Sequence, residues 1–120
     1  IMDGCDLPDS EIMGYLYLTT NGKVLYKSPT DIGGWQFTVD GGATIVDAYG
    51  GVSEEKGYHI FIDGSYDVFA FSLSGAVIPA GCGMLVELEL DGDPYQLIDY
   101  LFLRGIIHKS YLQYEAILNF

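Results

Sequence analysis

The sequence predicts an all-β protein, an antiparallel β-sandwich of about 8–9 strands. Three observations carry this. Trp35, Phe37 and Val39 alternate with Gln36, Thr38 and Asp40, which gives an extended segment one apolar and one polar face. Val86, Leu88 and Leu90 alternate with Glu87 and Glu89 in the same way. Sixteen glycines and ten tyrosines set turn residues between aromatic and β-branched runs, a composition that favours strands over helices.

Residues 1–10, with Asp3, Cys5, Asp6, Pro8 and Asp9, read as an irregular lead-in, and residues 11–120 as a single domain. Glu11 to Thr19 is the first strand, with Tyr15 and Tyr17 on one face and Leu16 and Leu18 on the other. Asn21-Gly22 is a hairpin turn, because both residues tolerate positive φ. Lys23 to Lys27 returns, and Ser28-Pro29-Thr30-Asp31 breaks the ladder, since proline has no amide hydrogen. The strand around Trp35 follows, bounded by Gly33-Gly34 and Gly41-Gly42, and is expected to be central.

Ala43 to Ala48 is a short β-branched run. Ser53-Glu54-Glu55-Lys56 fits one helical turn capped by Ser53 and closed by Gly57. Tyr58 to Ile62 and Tyr66 to Ser74 are strands joined at Asp63-Gly64, and the second places Phe69, Phe71 and Leu73 on one face as core. Gly75 to Gly83 is a glycine-rich crossing, Met84 to Leu90 a strand, and Asp91-Gly92-Asp93-Pro94 a turn. Leu97 to Leu103 and Ile106 to Leu118 supply the last strands around Arg104-Gly105. The expected core is Trp35, Phe37, Val39, Phe69, Phe71, Leu73, Val86 and Leu88. A closed barrel carries the same local signals.

A chain of 120 residues forms one domain with a sizeable core. Seventeen acids against five bases give a net charge of −12, which excludes binding to nucleic acid and disfavours an anionic membrane surface. The acidity serves solubility first. No apolar run reaches the length of a membrane span. No secretory signal is visible, and a start at Ile1 reads as a segment of a longer product. Cys5 and Cys82 form no metal-binding pattern. They are either buried thiols or a disulfide worth on the order of 4 kcal/mol, and an extracellular setting favours the bond.

Several segments resemble a cohesin-like, immunoglobulin-like sandwich module of secreted proteins from aquatic microbes. They are Cys5-Asp6-Leu7-Pro8, the hairpin to Leu25-Tyr26, Asp31 through Gly41, Ser72-Leu73-Ser74-Gly75, and Ile78-Pro79-Ala80-Gly81-Cys82-Gly83 with Leu85 and Leu88. The resemblance spans residues 5 to 90 and implies an extracellular, non-enzymatic domain in which Cys5 pairs with Cys82. The chain departs from the module at Tyr49 to Tyr58, which is bulkier and more charged, and from Tyr95 onward, which is more apolar and aromatic. The second departure suggests an added interface.

No catalytic constellation stands out. His59 and His108 fall on expected strands without a nucleophile motif beside them. Glu87 and Glu89 share a face at glycosidase-like spacing, but read more simply as the wet side of a strand. Asp3, Asp6 and Asp9, and Asp91 with Asp93, are the acidic loops in which structural calcium would be sought. Neither has the spacing of a calcium loop, so no cofactor or metal is assigned. Tyr15 with Tyr17, and Tyr111 with Tyr114, are the pairs that would stack on a sugar, with packing the simpler role. No N-glycosylation sequon is present. Thr19, Thr20, Ser28 and Thr30 are the acceptors open to hydroxyl-linked glycans.

The segment from Ile106 to Phe120 is long and aromatic, and Tyr111, Tyr114, Ile117 and Phe120 are the expected interface residues. An open sandwich edge attracts a further strand, and a head-to-tail contact that does not close builds a filament. The sequence therefore favours a structural subunit of an extracellular fibril or cell-surface array whose partners are copies of itself. The alternative is a recognition module for carbohydrate or a partner protein.

Overall fold

The computed structural model describes residues 3–7, 9, 14–103 and 111–118. Its elements are β1 (Gly14–Leu18), β2 (Lys23–Ser28), β3 (Gly34–Tyr49), α1 (Gly51–Glu55), β4 (His59–Asp63), β5 (Asp67–Phe71), β6 (Gly81–Leu103) and β7 (Tyr111–Leu118). One turn of 3-10 helix at Gly4–Asp6 precedes them. The seven strands form one sheet in the order β2-β1-β7-β6-β3-β5-β4, with β2 also bonded to β6. Every pairing is antiparallel except β1 with β7. The fold is all-β, as expected, and compatible with a sandwich.

The strands are fewer and longer than expected. The Trp35 strand and the Ala43 run are one strand, β3, and the two runs from Met84 to Leu103 are one strand, β6. Gly41, Gly42 and Gly92, expected at turns, lie within the β3–β6 ladder at a bulge instead, whereas Gly22 and Gly64 do sit at hairpin turns. Gly41 lies opposite Pro94, Gly42 opposite Asp93 and Ala43 opposite Gly92, with a register shift between Asp40 and Gly41. Gly41 and Gly92 have φ of 113° and 103°, values a side chain resists. A Cβ on Gly92 would also run into the Gly42 carbonyl. The two strands change course together here without giving up their pairing.

That change of course folds the sheet over a single main core. β6 takes β2 beside Gly81–Glu87 and β7 beside Leu101–Leu103, with β3 along its other side. β1 joins β2 to β7, so β6, β2, β1 and β7 form a closed circuit. Leu16, Leu18, Val24, Trp35, Phe37, Val39, Leu85, Val86 and Leu88 are all buried in one cluster with Val68 and Ala70. The Trp35 and Phe37 rings stack at 5.3 Å, and burying each contributes about 1.5–3 kcal/mol. A second, smaller cluster on the far side of β1 and β2 holds Leu7, Tyr17 and Leu25.

Leu73 is not core: it is 76% exposed, beyond the end of β5. Phe69 and Phe71 are only half-buried, and Val68 and Ala70 occupy the inner face of β5. The register explains the reversal, because Trp35 lies opposite Ala70 and Phe37 opposite Val68. Two large rings leave room only for small partners on that face.

Ser53 is no cap. Gly50 holds the cap position, and Ser53 lies within α1, fully buried. Its hydroxyl accepts from the Trp35 indole N–H at 2.9 Å and donates to the Leu85 carbonyl at 2.7 Å, tying β3, α1 and β6 together. The Tyr58 hydroxyl similarly donates to the Ile32 and Ala76 carbonyls, at 2.6 and 3.0 Å. Burial pushes that hydroxyl up to about 12.

The lead-in is fastened at Cys5. It forms a disulfide with Cys82, with Cα atoms 5.0 Å apart and a sequence separation of 77. Lys27 Nζ donates to the Cys5 and Leu7 carbonyls and pairs with the Asp9 carboxylate at 2.5 Å. The expected Glu11 to Met13 stretch of the first strand, Arg104-Gly105, residues 106–110 and Phe120 lie outside the described residues.

Two outcomes follow from these anchors. Reducing the disulfide, or replacing both cysteines by serine, lowers unfolding free energy by on the order of 4 kcal/mol in chemical denaturation. Ser53→Ala leaves the buried indole N–H and the Leu85 carbonyl without this partner and costs about 1–3 kcal/mol in the same assay, with tryptophan fluorescence as the probe.

Candidate functional site

The sheet is closed on one side and open on the other. In the strand order β4 has a single neighbour, β5, whereas β2 is held by both β1 and β6. The backbone of β4 therefore presents one row of amides and carbonyls away from the sheet. Along β4, His59, Phe61 and Asp63 face outward, and Ile60 and Ile62 lie against the core. Both isoleucines remain only half-buried, and among the described residues no strand follows β4 to cover them.

An aromatic ladder runs up to this edge. Phe61 lies opposite Phe69, and His59 opposite Phe71. The Phe61 ring is 5.3 Å from Phe69 and 5.4 Å from Phe71, at interplanar angles of 22° and 18°. Phe69 and Phe71 are 6.4 Å apart and nearly parallel, at 6°. His59 extends the row, 6.4 Å from Phe61. Nearly parallel rings at these separations are offset-stacked. Phe61 is 42% exposed and so leads the patch into solvent.

At the end of the β4–β5 hairpin, Asp63 and Asp67 lie directly opposite each other. Like charges in that position are unfavourable. Thr38 Oγ1 donates to one oxygen of Asp67 at 2.5 Å, which offsets part of this for Asp67.

The other residues singled out in the sequence do not gather into one place. Trp35, Phe37, Val39, Val86 and Leu88 are buried. Tyr17 is buried and Tyr15 packs beside it against the smaller core, so their rings are not a sugar platform. Asp3 accepts the Cys5 amide and caps the 3-10 turn, and Asp9 pairs with Lys27. Asp3 and Asp9 thus have separate structural partners. Among the described residues no group of three His, Cys, Asp or Glu side chains is placed to hold a metal ion. Glu87 and Glu89 stand beside exposed Tyr49, and Glu87 first, then burial, Glu89 and Asp47, push the tyrosine hydroxyl above its usual range. An open hollow of about 500 Å³ between the Thr20–Gly22 hairpin and Leu88, Leu90 and Asp93 holds one carboxylate. His108 and Phe120 lie outside the described residues, and Tyr111, Tyr114 and Ile117 are placed by their backbone in β7.

β7 is not at an edge. It runs parallel to β1, with Tyr114 opposite Gly14 and Ile117 opposite Tyr17, and antiparallel to β6, with Gln113 opposite Leu101. Residues 111–113 pair with β6 and residues 114–118 with β1, so the strand joins two neighbours within the chain.

Local alternation in the sequence sets Phe69 and Phe71 inward and so hides the ladder. The signal was present, since a hairpin across Asp63-Gly64 sets Phe61 opposite Phe69. Comparison with protein families, curated proteins and solved structures finds no match to this chain. No helix among the described residues is long and apolar enough to cross a membrane.

Phe61→Ser removes two close ring contacts at a half-open position and lowers stability by about 1–2 kcal/mol. Phe37→Ala, in the sealed core, costs about 3–5 kcal/mol. Urea denaturation of the two variants side by side checks the difference.

Proposed function

We propose that this chain is a non-enzymatic structural module of an extracellular fibril or cell-surface array. In this reading it has a cohesin-like sandwich build and joins further copies head to tail through its last strand. The observation that carries the reading is the slot of β7. Its eight residues pair with β1 and β6, and they complete the closed circuit of strands. The same strand from a neighbouring copy would meet the same partners in the same register, so exchange preserves the backbone pairing. Donation to the next copy, repeated without closure, propagates a filament.

Two further features support the setting. The Cys5–Cys82 disulfide suits an oxidising compartment. The charge of −12 keeps a concentrated assembly dispersed. A recognition module is the second reading, favoured by the exposed aromatic ladder beside β4.

Light scattering and negative-stain microscopy of the concentrated protein test strand donation, with a synthetic peptide of residues 111–118 as competitor. Filaments that shorten as the peptide is added are the expected result. A protein that stays monomeric at high concentration, or filaments indifferent to the peptide, refutes it.

A further inference from the structure

We infer that the β4 edge is a second, independent contact surface, whose occupant is β4 of another copy of this chain, paired antiparallel about a two-fold axis at Phe61. It does not rest on exchange of β7. The sequence of β4, His59-Ile60-Phe61-Ile62-Asp63, is self-complementary in this register. His59 meets Asp63 of the second copy at both ends, Ile60 meets Ile62, and Phe61 meets its own equivalent.

Each part of that register answers something the single chain leaves incomplete. The row of amides and carbonyls on the outer side of β4 gains a ladder. Ile60 and Ile62, half-buried on the core face, become covered by their counterparts. The ladder of Phe71, Phe69, Phe61 and His59 continues across the axis into the ladder of the second copy. Hydrogen-bond complementarity between imidazole and carboxylate fixes the register. Asp63 lies opposite Asp67 within its own hairpin, a repulsive pair, and the imidazole of His59 from the second copy arrives on its other side.

A two-fold contact of this kind uses one patch on both partners, so it closes at two copies. It also joins two filaments side by side wherever β7 exchange has built them. Added salt tightens it, because screening weakens repulsion between two chains of charge −12.

Sedimentation equilibrium on the full chain tests this, with circular dichroism confirming that each variant is folded. The wild type is expected to dimerise and to gain affinity with salt. His59→Asp sets carboxylates opposite one another at both ends and weakens the dimer by about tenfold or more. The exchange His59→Asp with Asp63→His in one chain restores it. Phe61→Lys and Phe61→Glu each give monomers, and an equimolar mixture of the two gives a dimer. A wild type monomeric at every concentration reached, a dimer unaffected by His59→Asp, or a mixture that stays monomeric overturns the proposal. The peptide of residues 111–118 leaves this dimer unchanged, which separates its failure from that of β7 exchange.

Discussion

The pairing of β3 with β6 through their shared bend is the constraint on which the rest of the molecule depends. Both strands are long, and both must change direction at the same rung if the ladder is to survive. Gly41 and Gly92, with positive φ on opposing strands, allow this. On one side of the bend β3 lies among β5 and the last part of β6, and on the other it pairs with Leu88–Asp93 near α1. The bend thus turns one sheet into the wall of an enclosed core. Trp35 then fills that core and is held at its nitrogen by Ser53, which reaches the Leu85 carbonyl on β6. A five-residue helix has little stability of its own, so α1 is kept in place by this buried chain of hydrogen bonds.

The same bend decides where the sheet is open. Because β6 has β2 at its start and β7 at its end on one side, that side is used up by the circuit through β1. The other side continues through β3 and β5 and stops at β4. One edge is therefore sealed by topology and the other is left to side chains. The aromatic ladder belongs at the open end for the same reason: Trp35 and Phe37 fill the inside of β5, and its large residues turn outward to meet Phe61.

Local alternation in the sequence was enough to identify strands, the inward faces of β3 and β6, and the two faces of β1. Those signals reflect one residue and its neighbours two places away. Strand continuity was not legible, because Gly41-Gly42 and Asp91-Gly92 look alike whether they end a strand or bend it. The difference lies in what stands opposite, a non-local fact. Ser53 was misread for a related reason: a serine before acidic residues signals a helix start, and only the fold brings Trp35 and Leu85 to its hydroxyl. For β5, size was taken as a guide to burial. Packing space decides instead, and Ala70 fits beneath an indole where Phe cannot. Pairing of the last strand between β1 and β6 likewise depends, for β1, on partners 100 residues away (Gly14 opposite Tyr114), which no local pattern encodes.

Charge and contact act over different distances in this molecule, and that governs how it can associate. At physiological ionic strength the repulsion between two acidic chains fades over about 8 Å, so it raises the barrier to encounter more than it weakens a formed contact. Strand pairing and covered isoleucines act only once surfaces touch. An acidic chain with a short, self-complementary edge therefore resists indiscriminate clumping and still accepts the one alignment that sets imidazole against carboxylate. The brevity of β4 is part of this balance. Five residues supply too few hydrogen bonds to hold a mismatched strand, so register depends on His59 and Asp63 at its ends. Specificity at this edge then comes from what the wrong registers lack, more than from strength in the right one.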